Sequence, residues 1–132
     1  MLPLRNCNNI GDLRLRARSK LPSPMFHYID GVPAPIDTLM PIRDAVGDKL
    51  ELILGGGIRR GTHIVNALVM GANACSIGRP FLCGLAAGGQ AGVARGIEIL
   101  KSEVERDLAL LGCSSIAELR PDHISQLNMK MP

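Results

Sequence analysis

The sequence predicts an α/β fold, and three observations carry that expectation. The run LELIL at 50–54 is short and almost wholly apolar, and Gly55-Gly56-Gly57 follows it at once. A run of this kind suits a strand of a parallel sheet, buried on both faces. A second apolar run, ACSIG at 74–78, also ends in glycine. Between the two, the stretch 55–73 is long enough for the helical crossover that parallel neighbours require. At 132 residues the chain has room for one domain.

The other elements follow from caps, breakers and periodicity. Asn9 with Asp12 three places on resembles a capping box, and Ile10, Leu13, Ala17 and Leu21 recur at helical spacing until Pro22 and Pro24 end the pattern. Asp37 is placed to cap a second helix carrying Leu39, Ile42 and Val46, with Gly47 as its stop. After the first strand, a helix runs from Thr62 to about Met70 and Gly71 closes it. Beyond Gly78-Arg79-Pro80 a short apolar helix precedes a long one over about 89–111, striped by Val93, Ile97, Leu100, Val104, Leu108 and Leu111. SSIAEL then forms a short final turn before a polar tail, so the predicted order is α, α, β, α, β, α, α.

Composition narrows the functional classes. The chain is 46% hydrophobic and 20% charged, that of a globular protein, with Phe26, Phe81 and Tyr28 as its aromatics and no Trp. Gly (15) and Pro (9) gather in clusters, as turn punctuation does. The net charge of +3 is mild. Arg5, Arg14, Arg16, Arg18 and Lys20 lie close together but without interleaved aromatics, so they read as a solvated helix face and no nucleic-acid partner is expected. Cys7, Cys75, Cys83 and Cys113 have neither CxxC spacing nor a companion His at zinc-ligand spacing, which predicts reduced thiols and no metal. MLPLRNCNN has no apolar signal core and no run of 18 apolar residues occurs, so the expected location is cytoplasmic.

The chemistry concentrates at the two strand ends. One strand empties into GGGIRRG (55–61), the other into GRP (78–80). Each places glycine and arginine between the end of a parallel strand and the start of a helix. Bare amides there approach an anion, the helix terminus adds positive potential, and arginine supplies a charged fork. Either loop alone would pass for a flexible turn with a surface arginine. Their repetition on consecutive strands points to phosphate, in the manner of the loops after strands seven and eight of a (β/α)₈ barrel. No Gly-Lys-Ser/Thr follows, and GGGIRRG lacks the dinucleotide GxGxxG spacing.

GGIRRGT, IGRPFL, GLAAGGQAGV and the helix ending in ALLGC stand in the order and spacing of one family. On them the chain resembles the FMN-dependent α-hydroxy-acid dehydrogenases and oxidases. NIGDLRLRARSKLPSPMFHYIDG is similar to that family's opening segment, nearest to bacterial L-lactate dehydrogenases. The resemblance implies a fragment of a (β/α)₈ barrel: an N-terminal lid segment at 1–31, then the last two βα units within 32–132. It implies FMN as cofactor, its phosphate end held by Gly56, Gly57, Ile58 and Arg59 after strand seven and by Gly78 and Arg79 after strand eight. Tyr28 matches the tyrosine that helps hold the substrate carboxylate. Gly55 departs from the family, which usually has Asp there, and this removes a carboxylate from the flavin site.

The stretch FHYIDGVPAPID (26–37) reads as a seam. In a typical relative the words after FHYIDG are the rest of the lid and strands one to six. The words before VPAPID are an active-site segment, H-G-G-R-Q-L-D-G. Asp30-Gly31 serves here as the end of one and the start of the other, which implies an in-frame loss of the middle. A full barrel needs about 250 residues. The family's general base and its neighbouring arginine belong to the lost segment, and His27, His63 and His123 do not occupy that position, so no catalytic residue is assigned. The parent reaction oxidises a 2-hydroxy acid of the L-lactate type to a 2-oxo acid; alone, this chain is expected not to turn over. The alternatives are an interaction fragment that associates with itself or with an intact relative, or a simple anion binder. By resemblance, a peripheral place at the inner membrane is a second possible location.

Overall fold

A computed structural model describes residues 3–20, 36 and 39–124. The predicted caps Asp37 and the Asp30-Gly31 seam, together with Tyr28, His27 and Leu21, lie outside the described residues. The elements are α1 (Ile10–Arg18), α2 (Leu39–Val46), β1 (Ile53–Gly55), α3 (Gly61–Val69), β2 (Ala74–Ser76) and a long α4 (Arg79–Leu110), with 3₁₀ turns at Leu4–Asn6, Gly47–Lys49, Ile116–Glu118 and Pro121–His123.

The two strands pair in parallel, Ile53 with Ala74, Leu54 with Cys75 and Gly55 with Ser76, joined through α3 as the βαβ pattern requires. The first strand is shorter and later than LELIL suggests. It is also not buried on both faces: Leu54 is buried, but Ile53 is 69% exposed. The reason is the sheet itself. Ile53 pairs with Ala74 and Gly55 with Ser76, all four are exposed, and among the described residues nothing buries the face they share.

The helix predictions hold with small shifts. Asn9 caps α1, its Oδ1 accepting from the Asp12 amide at 2.9 Å, while Asp12 accepts from the Asn8 amide at 2.8 Å. Gly47 and Gly71 stop α2 and α3 with φ of 57° and 99°. The boundary placed near residue 89 is a break inside α4, where Gly88 and Gly89 leave helical geometry and Gly89 reaches φ 58°. The chain folds back tightly enough there that a Cβ on Gly84 would stand 2.7 Å from the Gly92 carbonyl oxygen.

The core falls into two clusters. Cys7, Ile10, Leu13, Ala87, Ile99 and Leu100 form one, between α1 and α4. Leu39, Leu54, Ile58, Ala67 and Ala72 form the other, under β1 and α3, and Ile64 and Ile77 touch both. The buried side of α4 differs from the predicted stripe: Gly92, Gly96, Ile99, Leu100, Glu103 and Leu108 are buried, whereas Ile97 is half exposed. Small residues win there because the first limb of α4 comes against Gly92 at Gly84, and Leu13 and Ile10 of α1 come against Gly96. The Arg-rich face of α1 is not simply solvated either. Arg14 and Arg16 are half-buried, and Arg16 Nε donates to the Ala87 carbonyl at 2.7 Å. That carbonyl belongs to the end of a helical limb, where the ladder leaves oxygens without intrahelical partners.

Candidate functional site

Parallel pairing in this register brings the C-terminal ends of β1 and β2 side by side, so the loops that follow them open onto common space. A cleft of about 190 Å³ lies there, lined by Gly56, Gly57, Ile58, Arg59, Ser76, Gly78, Arg79 and Pro80. All six residues predicted to hold the phosphate end of a cofactor are therefore together. Tyr28, the predicted carboxylate holder, lies outside the described residues.

Local conformation explains the residue types. Gly56 and Gly57 have φ of 101° and 76°, a left-handed region that side chains disfavour, so only glycine turns the chain from β1 toward α3 here. Ile58 contributes backbone alone, because its side chain is buried with Leu54 and Leu39 and anchors the loop from behind. Gly78 precedes the first turn of α4, and nothing lies within 4 Å of where its Cβ would be. Pro80 stands at the start of that helix, where its missing N–H costs nothing. Backbone amides, a helix start and two guanidinium-bearing residues thus edge one small cleft, a donor set that fits a phosphate dianion.

The second arginine of GGGIRRG has a different task. Arg60 Nε donates to Glu103 Oε1 at 3.0 Å, and the Gly61 amide donates to Glu103 Oε2 at 2.7 Å. Glu103 is buried, and these two bonds satisfy its carboxylate at the first turn of α3. One turn further along α4, Asp107 Oδ2 accepts from Thr62 Oγ1 at 2.8 Å. The long helix therefore clamps the rear of the loop while its front faces the cleft.

His63 closes the loop from below. Its Nδ1 lies 3.3 Å from the Arg59 amide and 3.2 Å from the Gly57 carbonyl, so it accepts from the first or donates to the second according to its protonation. His123 lies 3.7 Å from Cys113 Sγ. Neither stands in the cleft. All four cysteines are free thiols, and among the described residues no group of His, Cys, Asp and Glu is placed to hold a metal ion. Burial pushes the Cys75 thiol above its ordinary range. Sequence reasoning passed over Ser76, whose position is readable only once the register sets it opposite Gly55 at the strand end.

A second, larger cavity of about 370 Å³ shares Arg59 and Arg79 with the cleft and is otherwise lined by Asn9, Ile10, Gly11, Arg14, Arg60, His63 and Cys83. Among the described residues no helix is long and apolar enough to cross a membrane.

Comparison with known proteins agrees with this geometry. Residues 27–126 match the family described as FMN-dependent dehydrogenase. The chain is 50% identical over 91 residues to L-lactate oxidase of Nostoc sp., covering 69% of this chain and 25% of that protein. It is 48% identical over 88 residues to human 2-hydroxyacid oxidase 1, covering 67% and 24%. Among solved structures, monotopic membrane (S)-mandelate dehydrogenase superposes with a TM-score of 0.66 at 38% identity, over 73% of this chain and 25% of that one. The flavin-binding domain of baker's yeast flavocytochrome b2 does so with a TM-score of 0.62 at 47% identity, over 67% and 24%. The chain spans about a quarter of the length of these relatives. Because the family match over residues 27–126 spans both strand-to-helix turns, the chain belongs to the FMN-dependent dehydrogenase family, whose cofactor is FMN.

Proposed function

We propose that this chain carries the phosphate-holding part of a flavin site from an enzyme that oxidises 2-hydroxy acids, and does not complete the reaction alone. The observation that carries this reading is the shared cleft: two consecutive parallel strands, each ending in glycine and arginine, edge one space of phosphate size. On this reading 32–132 supplies the last two βα units of a (β/α)₈ barrel and 1–31 a lid segment, with Tyr28 on the substrate side. Gly56, Gly57 and Gly78 allow backbone amides to approach the phosphate, and Arg59 and Arg79 supply its charged forks. The amino terminus of α4 adds its share of positive potential. FMN, when bound, accepts the two electrons and the hydrogen that leave the α-carbon of a 2-hydroxy acid.

Proton removal needs a base within hydrogen-bond reach of the substrate. Among the described histidines, His63 is bonded into its own loop and His123 faces Cys113. Neither is offered as that base, and none is assigned in this chain.

The test is an FMN titration of the purified chain followed by flavin fluorescence, with Arg79→Ala as the control. Saturable binding, weakened roughly tenfold or more in the variant, is expected for loss of one charge-assisted fork. An absence of binding at high micromolar FMN would sink the reading. Lactate-dependent flavin reduction by the chain alone would overturn the statement that it does not turn over.

A second reading, an interaction fragment, is favoured by one observation. An apolar trough of about 530 Å³, with Ile64, Leu68, Cys75, Ile97 and Val104 among its walls, lies beside β2. A second copy or an intact relative would cover it.

A further inference from the structure

The loop after β1 carries Gly56 and Gly57 at positive φ, so its shape depends on what ties it down. Glu103 holds its far end at Arg60 and Gly61, and the Ile58 side chain anchors its middle. His63, in the first turn of α3, ties it again. The His63 amide donates to the Arg60 carbonyl at 3.1 Å. Its ring reaches back, so that Nδ1 stands 3.2 Å from the Gly57 carbonyl oxygen and 3.3 Å from the Arg59 amide nitrogen. Gly57 and Arg59 both line the phosphate cleft, whereas His63 does not. One nitrogen cannot serve both partners. With a lone pair, Nδ1 accepts from the Arg59 amide and leaves the Gly57 carbonyl facing that lone pair. Carrying a proton, it donates to Gly57 and sets its N–H against the N–H of Arg59.

We propose that His63 is the positioning residue of the cofactor-phosphate loop, and that it takes up a proton as the phosphate end of FMN binds. This rests on the flavin reading and names the group through which that site responds to pH. Protonation exchanges a tether on Arg59 for a tether on Gly57, and so resets the stretch of loop between them. Charge then sets the direction. His63 shares its cavity with Arg14 of α1, Arg59 and Arg60 of the loop, and Arg79 and the Cys83 thiol of α4. Arg60 is paired with Glu103 at 3.0 Å, and Asp107 of α4 accepts from Thr62. The start of α3 adds positive potential at the same place. An imidazolium here is one more cation among cations. A phosphate dianion in the adjoining cleft, whose walls also include Arg59 and Arg79, offsets it. Proton and phosphate therefore favour one another, and each raises the affinity for the other by the same factor. Imidazoles change charge between about pH 5 and pH 8, so FMN affinity falls as pH rises through that range. A phosphate monoester loses its own second proton near about pH 6, which works in the opposite direction but identically for every variant.

The experiment titrates FMN into the unmodified chain, His63→Asn and His63→Ala at a series of pH values from about 5.5 to about 8.5. Asn places an amide near the position of Nδ1 and can serve either partner without taking up a proton. The affinity of the unmodified chain relative to His63→Asn should fall roughly fivefold across the series. His63→Ala should bind more weakly than His63→Asn at every pH. A flat ratio between the unmodified chain and His63→Asn, with FMN still bound, would overturn the proton coupling and leave the flavin reading standing. Equal affinities for Asn and Ala would overturn the tether. Resonances of the unmodified chain give a readout free of any folding defect. As the His63 ring nitrogens report protonation, the Arg59 amide and the Gly57 carbonyl carbon should shift with them; signals that stay still would overturn the proposal. Were FMN not to bind at any pH, the flavin reading would fall together with the proton coupling, and those resonances alone would uphold or overturn His63 as the tether of the loop.

Discussion

At Gly61 a Cβ would stand 2.5 Å from the Glu103 Cβ and 2.6 Å from the Val104 amide nitrogen, so α3 begins against the very backbone of α4. That approach is what lets Glu103 accept the Gly61 amide and Arg60 together. Gly61→Ala should therefore destabilise the chain by about 1–3 kcal/mol, the usual cost of overpacking. It should also weaken FMN binding, because the clamped loop holds Arg59. Urea unfolding midpoints and the flavin titration check both; an unchanged midpoint would remove the clamp from the account. Cys75 sets a pH dependence. Burial raises its pKa, so the folded chain keeps the thiol proton after the unfolded chain has lost it. Cys7 is raised in the same direction, by burial first and Asp12 second, with Arg16 and Arg95 opposing. The unfolded state then binds fewer protons, and stability falls as pH rises from the ordinary thiol range, about 8.5, through the raised values. Melting temperature should drop between about pH 8 and pH 10, and Cys75→Ala should shrink the drop; a drop of equal size would exclude Cys75 as its source.

The element that shapes the site is α4, and its break is written in glycine. Gly89 sits at φ 58° and ψ −140°, a backbone region open to little but glycine, with nothing within 4 Å of a built Cβ, so Gly89→Ala meets conformational strain alone, about 1–3 kcal/mol. Gly84→Ala meets the Gly92 carbonyl oxygen at 2.7 Å instead and should cost a similar amount, about 1–3 kcal/mol, by overpacking. Thermal melts of the two variants test both. An unchanged melting temperature for Gly84→Ala would mean that the limbs are not packed as described. The break also seats α1: Arg16 reaches the Ala87 carbonyl just before it, and Arg95 Nε beyond it donates to the Cys7 carbonyl at 3.0 Å. Motif reading found the break, since Gly88-Gly89 punctuates an apolar pattern. It missed the half-burial of Arg14 and Arg16, because a basic helix face looks alike whether water or another helix stands before it.

For the molecule as a whole, the described residues form two parallel strands of three residues with no further strand paired along either outer edge. Ile53, Ile97, Leu110 and Ile116 are exposed in addition. A small sheet with these features buries little area for its length. The second reading therefore predicts association: size-exclusion with light scattering should give a mass above that of one chain, and Ile97→Asp should lower it toward the monomer. A well-folded monomer at all concentrations would dispose of that reading. Its outcome also bears on the flavin titration, because a complementary surface would stiffen both strand-end loops.

The residues by themselves determined the βαβ order, the glycine stops at Gly47 and Gly71, a helix boundary near residue 89, and the glycine and arginine placed after each strand. These are local properties: a left-handed φ demands glycine, and apolar runs bounded by breakers make strands, wherever the chain lies. Only the tertiary structure decided that Arg59 and Arg60 divide their work between cleft and clamp, that Ser76 joins the site, that Ile53 faces outward, and that Arg14 and Arg16 are half-buried. Each depends on which element packs against which, and a pattern along one segment carries no information about the partner that will face it.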